Sequence, residues 1–287
     1  DYKKGIGKIY REANKKDKEI FEKARERLLE ENKSLINKLS PIPDEPLPPV
    51  GALGFRIQRY GFKTWGDVFN ARQLLSLIIF TKNVRKGYEH ILKDTNDKEY
   101  SKCIVTYLAL LINKMADFNS IFSVLHHLGG RGVVNTFRMQ TVNMIWNYAE
   151  SNPFNPIGAC WSSNLKFLIK TLKFLLNSDL KTVNVTIGDA TNLPYENRYF
   201  DAIITDPPYY DAIPYSNLSD FFYVWLKRSI GDLYPEAFTT LLVPRSREII
   251  QEPIRFNNDK EKAKKYFESQ ITLALKDINR VLKDDGI

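Results

Sequence analysis

The chain has 287 residues, of which 43% are hydrophobic and 26% charged, a balance that suits a globular protein with a core of its own. No run reaches the roughly 18 consecutive apolar residues of a membrane helix. Two cysteines, Cys103 and Cys160, can make neither a disulfide scaffold nor, by themselves, a zinc site. Lys and Arg number 42 against 34 Asp and Glu, and the net charge of +8 favours an anionic partner such as nucleic acid without requiring one.

The N-terminus opens as Asp1-Tyr-Lys-Lys with no apolar leader core behind it, so the sequence reads as cytoplasmic. Residues 10–39 alternate Lys/Arg with Glu and place Ile20, Phe21, Ala24, Leu28, Leu29, Leu35 and Ile36 at helical spacing, which predicts a long, partly exposed amphipathic helix. Residues 1–40 hold 12 Lys/Arg and 8 Asp/Glu, so half of the net positive charge sits here. A solvated helix face accounts for it better than a nucleic-acid-gripping arm. Ser40-Pro-Ile-Pro-Asp-Glu-Pro-Leu-Pro-Pro49 cannot continue a helix and predicts a stiff linker over 41–50, the first boundary.

From Gly51 to about Leu180 the signals are mainly helical: a segment opened by Asn70 as cap, a second over 101–116, and a third over 136–150 with Phe137, Val142, Ile145, Trp146 and Ala149 inward. Gly129-Gly-Arg-Gly132 and Ser151–Gly158 interrupt them. After Leu180 the texture changes. Val183-Asn-Val-Thr-Ile187 alternates like a strand and stops at Gly188-Asp189, and Phe200–Thr205 reads as a short apolar strand stopping at Asp206. Asn217–Lys227 and Lys260–Leu282 read as helices, and Asp284-Asp-Gly286 as a turn. Strands that end in polar loops and lead into helices predict an α/β fold over 181–287, whose ligand site lies at the carboxyl ends of the strands.

The chemistry concentrates at Asp206-Pro207-Pro208-Tyr209. An exocyclic amino nitrogen of a base is a poor nucleophile, because its lone pair is delocalised into the ring. Two acceptors that hold its hydrogens draw it towards tetrahedral geometry and free that lone pair. A carboxylate supplies one acceptor and a backbone carbonyl the other; proline fixes that carbonyl and has no amide hydrogen to compete for the acceptor. A neighbouring tyrosine offers a face for a base taken out of its duplex, worth about 1–3 kcal/mol. A strand-terminating turn is the plain alternative for four such residues.

This segment resembles the D/N/S-P-P-Y/F/W motif of the amino-methyltransferases of nucleic acids. The resemblance implies an S-adenosylmethionine donor and direct transfer to nitrogen, with Asp206 and the Pro207 carbonyl on the amino group, Pro208 completing the turn, and Tyr209 stacking on the base. Upstream, Gly188-Asp-Ala-Thr-Asn-Leu-Pro194 and Tyr199-Phe-Asp201 are similar to a donor-binding segment of Rossmann-like methyltransferases. On that match Asp189 meets the adenine of the donor, with Gly188 and Ala190 beside it; turn capping is the alternative for Asp189. Three further stretches, 60–74, 147–154 and 210–227, look like the large adenine-specific DNA methylases of prokaryotes that carry a zinc-ribbon insertion, and the likeness runs from about Pro41 to the end. Within it Asp67, Phe69, Arg72 and Gln73 are candidates near the donor, with capping by Asn70 and core packing of Phe69 as equal explanations. The sequence departs from the family's pattern in lacking the glycine-rich D-P-F-x-G-x-G loop, since Gly129-Gly-Arg-Gly132 reads as an ordinary loop, and in lacking the cysteines of the ribbon. The expectation is a piece of a longer protein that partners with its remaining segments.

Other residues carry two readings each. Tyr210 is a candidate nucleic-acid contact. Arg245, Arg247 and Arg255 suit phosphates or plain solvation. His126-His127 reads as a helix end rather than a metal site, and no metal is expected. Glu150 and Asn152 suit a polar helix terminus, and the Phe221–Trp225 run suits core. The expected fold is a Rossmann-like methyltransferase core with a large helical N-terminal portion. The expected function is DNA amino-methylation, at adenine N6. The alternatives are an RNA base N-methyltransferase and a non-catalytic nucleic-acid-binding fragment of a larger methylase.

Overall fold

The computed structural model describes residues 11–126, 132–138, 140–155, 158–177 and 183–287. It is a mixed, helix-rich structure with one two-stranded sheet among the described residues. The chain divides into two compact units. The first comprises Asp1–Val50, Phe55–Phe174 and Asn217–Val243, and the second Gly51–Gly54, Leu175–Ser216 and Pro244–Ile287. Among the described residues no helix is long and apolar enough to cross a membrane.

In the first unit, α1 (Lys15–Glu31) starts at a reciprocal cap, where Asn14 accepts from the Asp17 amide and Asp17 from the Asn14 amide. It buries Leu28 alone, as a charged amphipathic helix would, and ends before the predicted limit. Helix α2 (Ala71–Thr95) opens with the same device between Asn70 and Gln73 and buries Leu74, Leu77, Ile78 and Val84, one 3.6-residue stripe. Helix α3 (Lys98–Phe118) buries Val105, Ala109, Ile112 and Met115. The two short strands β1 (Val124–Leu125) and β2 (Val133–Val134) pair antiparallel. Next come α4 (Trp161–Leu176) and α5 (Tyr215–Ile230). Phe221, Val224 and Trp225 of α5 are buried in the first unit's core, as predicted, where Phe69 stacks on Phe221 at 5.5 Å and Trp65 meets it edge-on at 5.9 Å.

Three expectations for this unit need correction. Residues 41–50 are not a linker. Pro41, Pro43, Glu45, Leu47 and Pro48 are buried, and the Glu45 carboxylate takes a bidentate pair from the buried Arg228 guanidinium at 2.8 and 3.0 Å. The same guanidinium donates to the Ser40 carbonyl at 2.7 Å. Proline removes donors but not acceptors, and the segment's carbonyls are used: Gly66 donates to Pro43 at 2.7 Å and Trp65 to Glu45 at 3.0 Å. A Cβ on Gly66 would lie 2.6 Å from the Pro43 oxygen, so this approach needs glycine. Residues 136–150 are not a helix either. Their amides go to distant acceptors: Thr136 to the Asp117 carbonyl at 2.7 Å and Ala149 to that of Ser123 at 2.8 Å, while Val142 bridges Phe55. Burial raises the Asp117 carboxyl, which also accepts from the Phe137 amide. His126 follows β1 and not a helix, donating its amide to the Gly132 carbonyl; His127 and Gly129–Arg131 lie outside the described residues.

The second unit contains α6 (Lys260–Val281), capped by Asp259, with its first helical turn preceded by a 3-10 turn at Pro253–Phe256. The two predicted strands form no continuous ladder among the described residues. Val185, Ile187 and Ile204 are 89%, 92% and 96% exposed. Pairing occurs only at the start of the second segment. Phe200 bridges Leu282 in parallel, and beyond it Ile287 donates to the Asp201 carbonyl at 3.0 Å and accepts from the Ile203 amide at 2.9 Å. That alternation of donor and acceptor is a parallel pattern opposite Ala202.

Candidate active site around Asp206 to Tyr215

The loop after Thr205 is shaped by its prolines and by one left-handed residue. Pro207 and Pro208 carry no amide hydrogen, and Tyr210 sits at φ 53°. Its amide turns back to the Pro208 carbonyl at 3.1 Å, and Ala212 donates to the Tyr209 carbonyl at 2.9 Å. Asp206 and Pro207 are thereby left exposed, and the Pro207 carbonyl has no hydrogen-bond partner among the described residues. Tyr209 is 60% exposed, and its hydroxyl donates to Asp206 Oδ1 at 3.3 Å. The negative charge of Asp206, and the hydrogen bond to it, push the Tyr209 phenol above its usual value, so it stays protonated at neutral pH. The motif therefore presents a carboxylate, a free carbonyl and an aromatic ring together.

Of the motif, Pro208 and Tyr209 line a surface pocket of about 260 Å³, and Asp206 and Pro207 precede them in the chain. One side is Pro208, Tyr209, Tyr210, Ile213 and Tyr215; the other is Glu248, Ile249 and Ile250. Tyr210 anchors more than it offers. Its ring meets Phe267 edge-on at 5.0 Å, and its carbonyl accepts from the Gln251 amide at 2.9 Å. Glu248 is a pocket residue that sequence reasoning missed. It accepts from the Ser216 amide at 2.9 Å and from the Ser216 hydroxyl. A signal for it existed: α5 follows Pro214, which can offer no capping oxygen, so a cap had to come from elsewhere in the chain.

The remaining candidates separate. Arg255 is a brace and not a phosphate contact, since its guanidinium donates to the Glu248 and Ser246 carbonyls at 3.0 and 2.9 Å and lies over the Tyr266 ring. Arg245 is half-buried. Arg247 is well exposed and lies 3.4 Å from Asp189. Asp189 accepts from the Thr191 hydroxyl and amide at 2.7 and 2.9 Å, bonds that hold its carboxyl below the usual range. It is thus a turn cap, as its alternative reading had it, with exposed Gly188 and Ala190 on either side. The rest of that turn is fastened to α6, where Asp277 accepts from the Leu193 amide and Arg280 donates to the Leu193 and Tyr195 carbonyls.

In the first unit, Asp67 accepts from the Lys63 and Thr64 amides, both at 2.8 Å, and Phe69 is core. Gln73 completes the Asn70 cap. Arg72 forms a bidentate pair with Glu150 at 2.9 and 3.0 Å, and Glu150 also accepts from Asn70. Asn152 lines a neighbouring cleft of about 490 Å³ with Glu150.

For an adenosyl donor these residues do not form a cradle as they stand. Asp189 is spent on Thr191, and Asp67 and Phe69 on a cap and a core. A Cβ on Gly188 would meet only Pro194, at an ordinary 3.7 Å, so no close backbone approach is reserved there. Charge is also divided unevenly: the first unit has 30 Lys/Arg against 20 Asp/Glu, the second 12 against 14. The net positive charge therefore resides in the first unit. Compared with known proteins, the chain matches no family model, no curated protein and no solved structure.

Proposed function

We propose that this chain carries the base-holding part of an amino-methyltransferase of nucleic acids, acting on DNA at adenine N6, with S-adenosylmethionine as the methyl source. The supporting observation is the exposed Asp206 carboxylate and free Pro207 carbonyl next to Tyr209, whose ring lines an aromatic-rich pocket. The parallel pairing opposite Ala202 supports a Rossmann-like sheet, since a parallel pair needs a crossover and the chain between Ala202 and Ile287 supplies helices for it.

In this reading an extruded adenine enters between Tyr209, Tyr215 and the isoleucines. Its two amino hydrogens go to Asp206 and to the Pro207 carbonyl. To make room, the Tyr209 hydroxyl gives up Asp206, an exchange of an exposed hydrogen bond that costs about 0.5–1.5 kcal/mol at most. Tyr209 is then free to lie against the base. The methyl group comes from the donor, for which the described residues show no cradle, so no step is assigned to residues around it.

Transfer of a tritiated methyl group from S-adenosylmethionine to DNA and to RNA tests the reading. DNA should be labelled, and Asp206→Ala should lower the rate by about 10²–10³-fold, the scale for removing one group that stabilises developing charge. Labelling of RNA alone would move the substrate to RNA. A second reading, a non-catalytic nucleic-acid-binding piece of a larger methylase, is favoured by the segments 183–187 and 204–205, which have no strand partner among the described residues. Binding of DNA without any transfer would select it.

A further inference from the structure

We propose that Glu248 is a positioning residue of this pocket: its carboxylate ties the start of α5 to the loop 244–251 and so sets the gap between the pocket's two walls. The inference rests on the base-holding reading above. Tyr209 and Tyr215, the latter the first residue of α5, form one wall and Ile249 and Ile250 the other, and no ladder joins the two walls among the described residues. Three ties do that work. Gln251 donates to the Tyr210 carbonyl, Arg255 and Tyr266 hold the carbonyls of Ser246 and Glu248 from behind, and Glu248 grips Ser216. Of these, only the Glu248 tie is made by a side chain that itself lines the pocket.

Its chemistry suits a permanent hold. The Ser216 amide lies in the first turn of a helix whose preceding residue is proline, so no local side chain competes for it. A carboxylate there meets the positive end of the helix and accepts from both the Ser216 amide and the Ser216 hydroxyl. Without it, both Ser216 donors lose their partner, and the wall carrying Ile249 and Ile250 is released from the wall carrying Tyr215. A base between the two walls then loses one stacking face while Asp206 remains in place.

The test titrates wild type and variants with a fluorescein-labelled single-stranded thymidine oligonucleotide containing one adenine, reading its anisotropy against an all-thymidine control, with the melting temperature measured alongside. Glu248→Ala should weaken binding about tenfold, the consequence of losing one charge-assisted hydrogen bond of about 1.4 kcal/mol. Glu248→Gln keeps an acceptor for the amide and a donor to the hydroxyl, and should rescue most of the loss. Ser216→Ala keeps the amide's bond and loses only the hydroxyl's, so it should fall between wild type and Glu248→Ala, and the double variant should be no weaker than Glu248→Ala, because one tie is broken only once. Wild-type affinity in Glu248→Ala, with binding lost in Tyr209→Ala, would leave the pocket standing and overturn the proposal. So would Glu248→Gln binding as weakly as Glu248→Ala at an unchanged melting temperature, since the carboxylate would then contact the oligonucleotide itself. Absence of a saturable signal in wild type would instead remove the base-holding reading, and this inference with it.

Discussion

The two units differ in how far each completes itself. In the first, α2 and α3 each have a cap and a buried stripe, and an aromatic cluster of Trp65, Phe69, Phe221 and Trp225 closes the core. In the second, α6 is complete, but the extended segments 183–187 and 202–205 present Val185, Ile187 and Ile204 to solvent. A helix satisfies its backbone within its own residues, whereas a strand depends on neighbours brought from elsewhere. The lesson is that one chain can hold a finished core beside elements whose hydrogen bonds await partners. The candidate site sits on the second kind of ground, which is why its walls depend on side-chain ties such as Glu248 to Ser216.

Four perturbations would break or sharpen this contrast. All four tryptophans belong to the first unit, so tryptophan fluorescence during urea unfolding reports on that unit by itself. The largest effect is expected for Arg228→Ala, which strands Glu45 as a buried unpaired charge and should destabilise the first unit by about 3–5 kcal/mol. An unfolding midpoint within error of wild type would mean that residues 41–49 behave as a linker after all. Next, Gly66→Ala forces a methyl group against the Pro43 carbonyl and should cost about 1–3 kcal/mol, in line with overpacking elsewhere.

A smaller effect depends on pH. The hydrogen bond from Arg85, and its charge, hold the Asp232 carboxyl below its usual value. A folded value below the unfolded one means that this pair contributes stability above the ordinary carboxylate range and loses it as pH falls through the lower, folded value. With both side chains partly exposed, the contribution should stay below about 1 kcal/mol. Arg85→Gln should remove it at pH 7 and leave stability near pH 2 unchanged, which urea titrations at the two pH values would reveal. Smallest of all, Val185→Asp should shift thermal unfolding, followed by far-ultraviolet circular dichroism, by no more than about 0.5 kcal/mol, as for any surface substitution. A loss of several times that would show that 183–187 is packed in solution, and the contrast between the units would narrow.

Much of the helical architecture is legible in the sequence. The cap at Asn70, the start of α6 at Lys260, the stripes of α2 and α3 and the burial of Phe221–Trp225 follow from spacing, because a helix is written in residues three and four apart. The motif Asp206–Tyr209 is legible as chemistry, and the fold leaves its carboxylate and carbonyl exposed together. Partnership is what local patterns do not carry. The proline-rich segment reads as detached because its anchor, Arg228, lies far along the chain. Residues 136–150 have helical spacing, yet Asp117 and Ser123 take their amides. Asp189 reads as a ligand-binding acid and serves as a turn cap, and Glu248 carries no motif at all.

By itself, then, the sequence determined where α2 and α6 begin, which faces α2 and α3 bury, and which motif could receive an amino group. Those properties reside in neighbouring residues and in the covalent character of proline, aspartate and tyrosine. Tertiary structure alone decided which segments pair, which acids are spent on caps and ion pairs, and which loop closes the pocket. Those outcomes depend on hydrogen-bond partners dozens to nearly two hundred residues away, as Arg228 and Glu45 show, and no local pattern encodes a distant partner.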